Sequence, residues 1–226
     1  MFVDTVLFVV FPYTAVVLAV VVGIYRYVSD RYSYSSFSSQ FLENRALFWG
    51  SVPWHFGIIV ILLAHIVALL VPGVWARVIS EPARLYTLEV IGLALAASAL
   101  AGLVILFIRR LLSPRVLSVT SIMDWVLILV LLSQVVLGFW VALFFRWGSD
   151  WYLHTSVPWL GSLATFDPET QFVTALPWVV KLHILGGFVL VALFPFTRLV
   201  HIVTLPVTYL WRPYQVVVWN RRQRRA

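Results

Sequence analysis

The chain of 226 residues contains no cysteine. That absence excludes disulfides, thiolate metal sites, iron–sulfur clusters and covalent haem attachment through a C-x-x-C-H motif. Any cofactor must be held non-covalently by other side chains. Charge is also scarce: 11% of residues are Asp, Glu, Lys or Arg against 62% hydrophobic, and the mean hydropathy is +0.97. Those proportions exclude a soluble domain. Lysine occurs once, at Lys181, and no Lys or Arg precedes the first apolar run, whose early charge is Asp4. That run therefore lacks the basic start of a signal peptide and reads as an uncleaved helix.

What the sequence has in quantity is apolar length. Runs of about 18 or more apolar residues imply membrane-spanning helices. Five are expected, at roughly 4–25, 52–71, 88–108, 122–145 and 178–204. Long runs without alternation exclude a β-barrel. The expected fold is an all-α membrane protein, one domain over residues 1–226 with a basic tail at 205–226. Pro12 is expected to kink the first helix and Pro195 to bend the fifth. "GLALAASALAG" gives the third a small-residue face that admits a close neighbour. Trp147, Trp151 and Trp159, in the long connection 147–177, suggest segments lying in the membrane interface. No internal repeat supports an inverted-repeat transporter.

Charge placement sets the expected topology. Arg26, Arg31 and Arg45 follow the first helix, and Arg109, Arg110 and Arg115 follow the third. Arg198, Arg212, Arg221, Arg222, Arg224 and Arg225 lie at the end of the chain. Arg77, Arg84, Arg146 and Lys181 fall on the opposite side. The positive-inside rule then places the N-terminus outside and the C-terminus in the cytoplasm. A basic cytoplasmic rim accounts for the net charge of +7 without nucleic acid; the expected surroundings are lipid.

Four of the five histidines fall in or at the expected spans: His55 and His65 in the second, His183 and His201 in the fifth. Titratable groups at membrane depth are costly and point to function; the competing role for each is a hydrogen bond to a neighbouring helix. His183 and His201 are about five helical turns apart and so share one face of an uninterrupted helix, about 27 Å apart. His55 and His65 are about 15 Å apart and roughly 80° apart around their axis. Because the two helices run in opposite directions, His55 matches His201 near the inner face and His65 matches His183 further out.

Two imidazoles facing each other across a bundle are the ligand set of a six-coordinate b-type haem. The pattern thus implies five transmembrane helices around two b-type haems. Gly186 and Gly187 follow His183 on the same face and leave space for a flat macrocycle; Gly57 lies beside His55. Arg198 and the pair Arg109 and Arg110 are candidate propionate partners at the inner end, and Lys181 is one at the outer end. Topology signalling and snorkelling are their competing roles. Zinc sites usually add carboxylates at the same depth, and neither Asp124 nor Glu89 is placed to complete a histidine pair. His154 reads as a surface residue.

"FPFTRLVHIVTLPVTYLWRPYQVV" (194–217), with "RRLLSPRV" (109–116) and "SSQFLENR" (38–45), closely resembles the gamma, cytochrome b subunit of respiratory membrane-bound nitrate reductase. The likeness covers nearly the whole chain, and the four histidines correspond to the family's haem ligands. The resemblance implies an inner haem on His55 and His201 and an outer haem on His65 and His183. It implies quinol oxidation beside the outer haem, with protons released outside. Electrons would pass inward to an iron–sulfur (beta) subunit that feeds a molybdenum catalytic (alpha) subunit. A bacterial or archaeal plasma membrane follows. The family carries a quinol-contacting lysine after the second helix; "VISEPARLYTLEV" has none, and Arg84 and Tyr86 are the nearest substitutes. The rival readings are the cytochrome b anchor of a heterodisulfide or sulfite reductase-type complex and a haem-free histidine-lined proton or metal transporter.

Overall fold

The computed structural model describes residues 2–30 and 42–203. The basic tail 205–226 and the first half of the "SSQFLENR" motif lie outside the described residues. Among the described residues five helices are long and apolar enough to cross a membrane: α1 Phe2–Ser29, α2 Arg45–Leu70, α3 Pro82–Leu112, α4 Ile122–Phe144 and α5 Trp178–Phe196.

The start of α2 extends beyond its apolar run because a polar residue caps it. Glu43 accepts from the Ala46 and Leu47 amides at 2.8 and 3.2 Å, so α2 starts at Arg45 rather than near 52. Arg109 of α3 donates to the Glu43 carboxylate at 2.6 Å and to its main-chain oxygen at 2.7 Å, tying the two helices at that end. The Glu43 carboxyl is held below its usual 4.5 by the Ala46 amide, then by Arg109. Ser121 and Asp124 form a reciprocal capping box at the start of α4, which satisfies two otherwise orphaned amides.

Proline shapes α1 and α5 in different ways. Pro12 has no N–H to give Phe8, and residues Val6–Val10 wind as a π segment of the kind that accommodates such a break. The buried Trp159 indole donates to the Phe8 oxygen at 3.1 Å. In α5 the α-helix ends at Leu193, followed by a 3₁₀ turn Phe194–Phe196, an extended Thr197, and a second 3₁₀ turn Arg198–Ile202. The helix expected to run to 204 with a bend at Pro195 is therefore corrected to one that breaks there: His183 and His201 do not share one helical face. Arg26 of α1 donates to the Pro195 oxygen at 2.6 Å and ties the break to α1.

α2 packs on α3, α3 on α4, α4 on α5, and α5 on α1. The α2–α3 seam is closest. A Cβ at Gly57 would lie 2.6 Å from the Leu95 oxygen, and one at Gly102 would lie 2.5 Å from the Gly50 oxygen. Small residues bring these backbones together, and Gly57 serves this seam. Trp54, Ala99, Leu103, Ile128 and Val135 form the core between α2, α3 and α4. Among the described residues no comparable packing joins α2 to α5.

The connection between α4 and α5 folds into three short helices, Gly148–His154, Ser156–Ala164 and Gln171–Thr174. Its tryptophans were expected at the interface, yet Trp159 is 1% exposed, packed with Phe8, Leu163 and Val173. Tyr13 of α1 donates to the Leu163 oxygen at 2.8 Å and stacks on Phe166. The unmet carbonyl left by Pro12 explains why this indole turns inward. Trp147 remains exposed, in the left-handed region at φ 65°.

Candidate functional site

His55, His65, His183 and His201 each bond a main-chain carbonyl through Nδ1. His55 Nδ1 bonds the Ser51 oxygen at 2.8 Å, and His65 Nδ1 bonds the Ile61 oxygen at 2.8 Å. His183 Nδ1 bonds the Gln134 oxygen of α4 at 3.2 Å, and His201 Nδ1 bonds the Arg198 oxygen at 2.6 Å. Each of these carbonyls is an acceptor only, so each Nδ1 carries the proton and each Nε2 keeps its lone pair; His55 Nδ1 also lies 3.1 Å from the Ser51 hydroxyl. Orienting bonds of this kind accompany metal ligation by the other nitrogen.

His55 and His201 come together from α2 and the turn after α5. Their ring centres are 6.1 Å apart, with planes at 73°. An iron bound by two imidazole nitrogens at about 2 Å each, with each nitrogen about 1.1 Å from its ring centre, would set the rings about 6 Å apart. The pair lies where α2 and α5 are not packed on each other. His65 lies towards the other end of α2, and His183 near the start of α5. His65 is exposed, and the Tyr152 ring lies 5.1 Å from it at 67°. Burial raises the Tyr152 phenol above its usual 10. His183 lies against Gly138 of α4, where a Cβ would come within 2.8 Å of the imidazole.

The other expected site residues fall as follows. Gly186 and Gly187 face Gln134 across the α4–α5 contact, and the Gln134 amide occupies the space that Gly186 leaves. Arg198 donates from Nε and Nη2 to Asp124 at 2.6 and 3.0 Å. Arg110 is 3.5 Å from the same carboxylate and also donates to Thr120. Lys181 donates to the Thr174 oxygen. Arg84 donates to the Val78 and Arg77 oxygens and pairs with Glu81 at 3.4 Å. It lines two adjoining open clefts of about 300 and 340 Å³. Tyr86 is 62% exposed and lines neither cleft. His154 is exposed beside Asp150.

Four residues around this site escaped the sequence reading of it: Gln134, Gly138, Asp124 as the arginine partner, and Tyr152. A lone amide inside the apolar run of α4 was a usable signal for Gln134, and Ser121-x-x-Asp124 was one for the cap. Nothing local in the sequence marks Gly138 or Tyr152.

Among the described residues, fold and site together define a helical, multi-pass membrane protein in which the rings of His55 and His201 meet and four histidines bond main-chain carbonyls through Nδ1. Residues 4–220 match the family described as nitrate reductase gamma subunit. The chain is 37% identical over 221 residues to the nitrate reductase gamma chain of Bacillus subtilis (strain 168), covering 94% of this chain and 96% of that one. It is 30% identical over 223 residues to the respiratory nitrate reductase 1 gamma chain of Escherichia coli (strain K12), covering 96% and 97%. It also matches the nitrate reductase-like protein NarX of Mycobacterium tuberculosis (strain ATCC 25618 / H37Rv) at 32% over 222 residues, which is 95% of this chain and 33% of that one. The chain belongs to the nitrate reductase gamma subunit family. It is a membrane subunit of an oxidoreductase complex whose nitrate-reducing site lies in other subunits.

Proposed function

We propose that this chain oxidises membrane quinol and passes the electrons through two b-type haems to an iron–sulfur subunit, which feeds a molybdenum catalytic subunit. The observation that carries the reading is the His55–His201 pair, 6.1 Å apart with both Nδ1 atoms engaged by carbonyls. Bound there, a b-type haem supplies reversible one-electron transfer. His55 and His201 would hold the inner haem, and His65 and His183 the outer one. Their carbonyl partners keep the rings in the ligating tautomer.

Arg198 and Arg110, which meet at Asp124, are the candidate propionate partners at the His201 end, and Lys181, two residues before His183, is the one at the other end. The macrocycle space expected at Gly186 is instead taken by the Gln134 amide. Quinol would bind at the exposed His65 end, with Arg84 and Tyr86 as its contacts, and the clefts beside Arg84 favour that end. The arginine distribution favours an outside N-terminus and a cytoplasmic C-terminus in a bacterial or archaeal plasma membrane. The iron–sulfur subunit would then dock at the His55 end.

A reduced-minus-oxidised visible spectrum of membranes holding the complex tests this. Two b-type haems per chain are expected, with His55→Ala and His65→Ala each removing a spectrally distinct one. A haem-free preparation would instead favour the transporter reading.

A further inference from the structure

We propose that Gln134 is a positioning residue of the haem site at the His65–His183 end, setting the electronic character of His183 from the neighbouring helix. The inference rests on the reading of His183 as a haem ligand.

Three observations converge on this one side chain. First, α4 and α5 are tied twice at this level. The Gln134 main-chain oxygen accepts from His183 Nδ1 at 3.2 Å, and the Gln134 Nε2 donates to the His183 oxygen at 2.9 Å. Each residue thus bonds the other's backbone, which fixes both the height and the rotation of the imidazole. Second, Gly186 leaves the notch that holds the amide; a Cβ there would collide with Gln134 Oε1. Gly138, one turn further along α4, leaves the matching space for the imidazole. Third, Gln134 Oε1 is buried and has no hydrogen-bond partner among the described residues. Leaving a buried carbonyl unpaired costs free energy, so an apolar residue of the same size would pack there more favourably if stability were the only requirement. The structure instead retains a negative dipole end beside the ligand.

Both parts of the arrangement act in one direction. A carbonyl accepting from Nδ1 makes the imidazole a more basic ligand, and a nearby unpaired oxygen favours the more positive oxidised site. Removing the amide therefore favours the reduced site. The oxidised-to-reduced equilibrium at this haem is expected to shift by about tenfold, equivalent to about 59 mV for one electron, with the potential rising.

The test is a redox titration and low-temperature EPR of the whole complex in membranes, comparing wild type, Gln134→Met, Gly186→Ala and the double variant. Gln134→Met removes the amide while keeping its length; Gly186→Ala expels the amide without changing it. Both singles should raise the potential of the His183-ligated haem and shift its low-spin signal, leaving the His55–His201 haem unchanged. Because both act by removing one amide, the double variant should shift no further than either single. An unchanged or lowered potential in both singles overturns the proposal, as do additive shifts in the double variant. Wild-type membranes without a second haem would overturn the ligand reading itself, so the two failures are distinguishable.

Discussion

Replacing Asp124 by Ala is the most direct test of what places His201. The carboxylate is shared by Arg198, bonded at 2.6 and 3.0 Å, and by Arg110 at 3.5 Å. Its side chain is 4% exposed, that of Arg110 is 20% and that of Arg198 is 32%. Breaking a buried ion pair costs about 3–5 kcal/mol, and the partial exposure of Arg198 argues for the lower figure, about 3 kcal/mol. Asp124 also closes the capping box with Ser121, whose loss adds about 1 kcal/mol. A total of about 4 kcal/mol is nearly three powers of ten in the local equilibrium. The ion-pair share of that penalty, about 3 kcal/mol or about two powers of ten, falls on the turn Arg198–Ile202, because α5 has ended as an α-helix at Leu193 and the Arg198 ion pair ties the turn to α4. His201, whose Nδ1 is held by the Arg198 oxygen, moves with that turn. The expected result in a reduced-minus-oxidised spectrum is selective loss of the His55–His201 haem while the other haem stays. Asp124→Asn, which keeps the cap's geometry, should lose less. Both haems at wild-type amount and potential in Asp124→Ala would refute the reasoning.

Two further outcomes follow from the fold. Trp159→Phe leaves the Phe8 carbonyl unpaired and should destabilise by about 1–3 kcal/mol. In a Pro12→Ala background, where position 12 regains an N–H that can donate along the helix, the same change should cost less. Equal costs in a double-mutant cycle of detergent unfolding would show that the indole is not meeting the carbonyl that proline orphans. Glu43 contributes through its ionised form, since its folded value lies below 4.5. That stabilisation is complete above about pH 4.5 and is lost as pH falls through the lower folded value. Glu43→Gln should therefore flatten the acid limb of stability below about pH 4.5, and an unfolding series from about pH 6 to 3 showing parallel curves would contradict it.

How much of this was readable in advance depends on the distance over which the cause acts. The five spans and the small-residue seam at Ala99 and Gly102 follow from composition and spacing within one segment. The nearness of His55 to His201 was expected from the opposed directions of the second and fifth helices, although those helices do not pack on each other and the fifth breaks before His201. The helix caps were missed where hydropathy was the guide: Glu43 and Asp124 extend α2 and define the start of α4 through polar bonds that a hydropathy average cannot register. The inward turn of Trp159 was hidden because its cause, the carbonyl freed by Pro12, lies about 150 residues away.

Composition and spacing are enough to make this a helical membrane protein with four costly imidazoles and no cysteine. Each of those facts is a property of the whole chain's make-up or of one helix. His55 and His65 are oriented within α2 itself, but what places His183 and His201 is a matter of contacts between helices. The stretch from His183 to His201 is broken at Pro195, so an axial repeat cannot carry position across it. His201 is placed by Arg198 and Asp124, and His183 by Gln134 and Gly138, through hydrogen bonds, an ion pair and close packing. Such contacts act over a few ångströms, and they exist only after the chain has brought distant residues together.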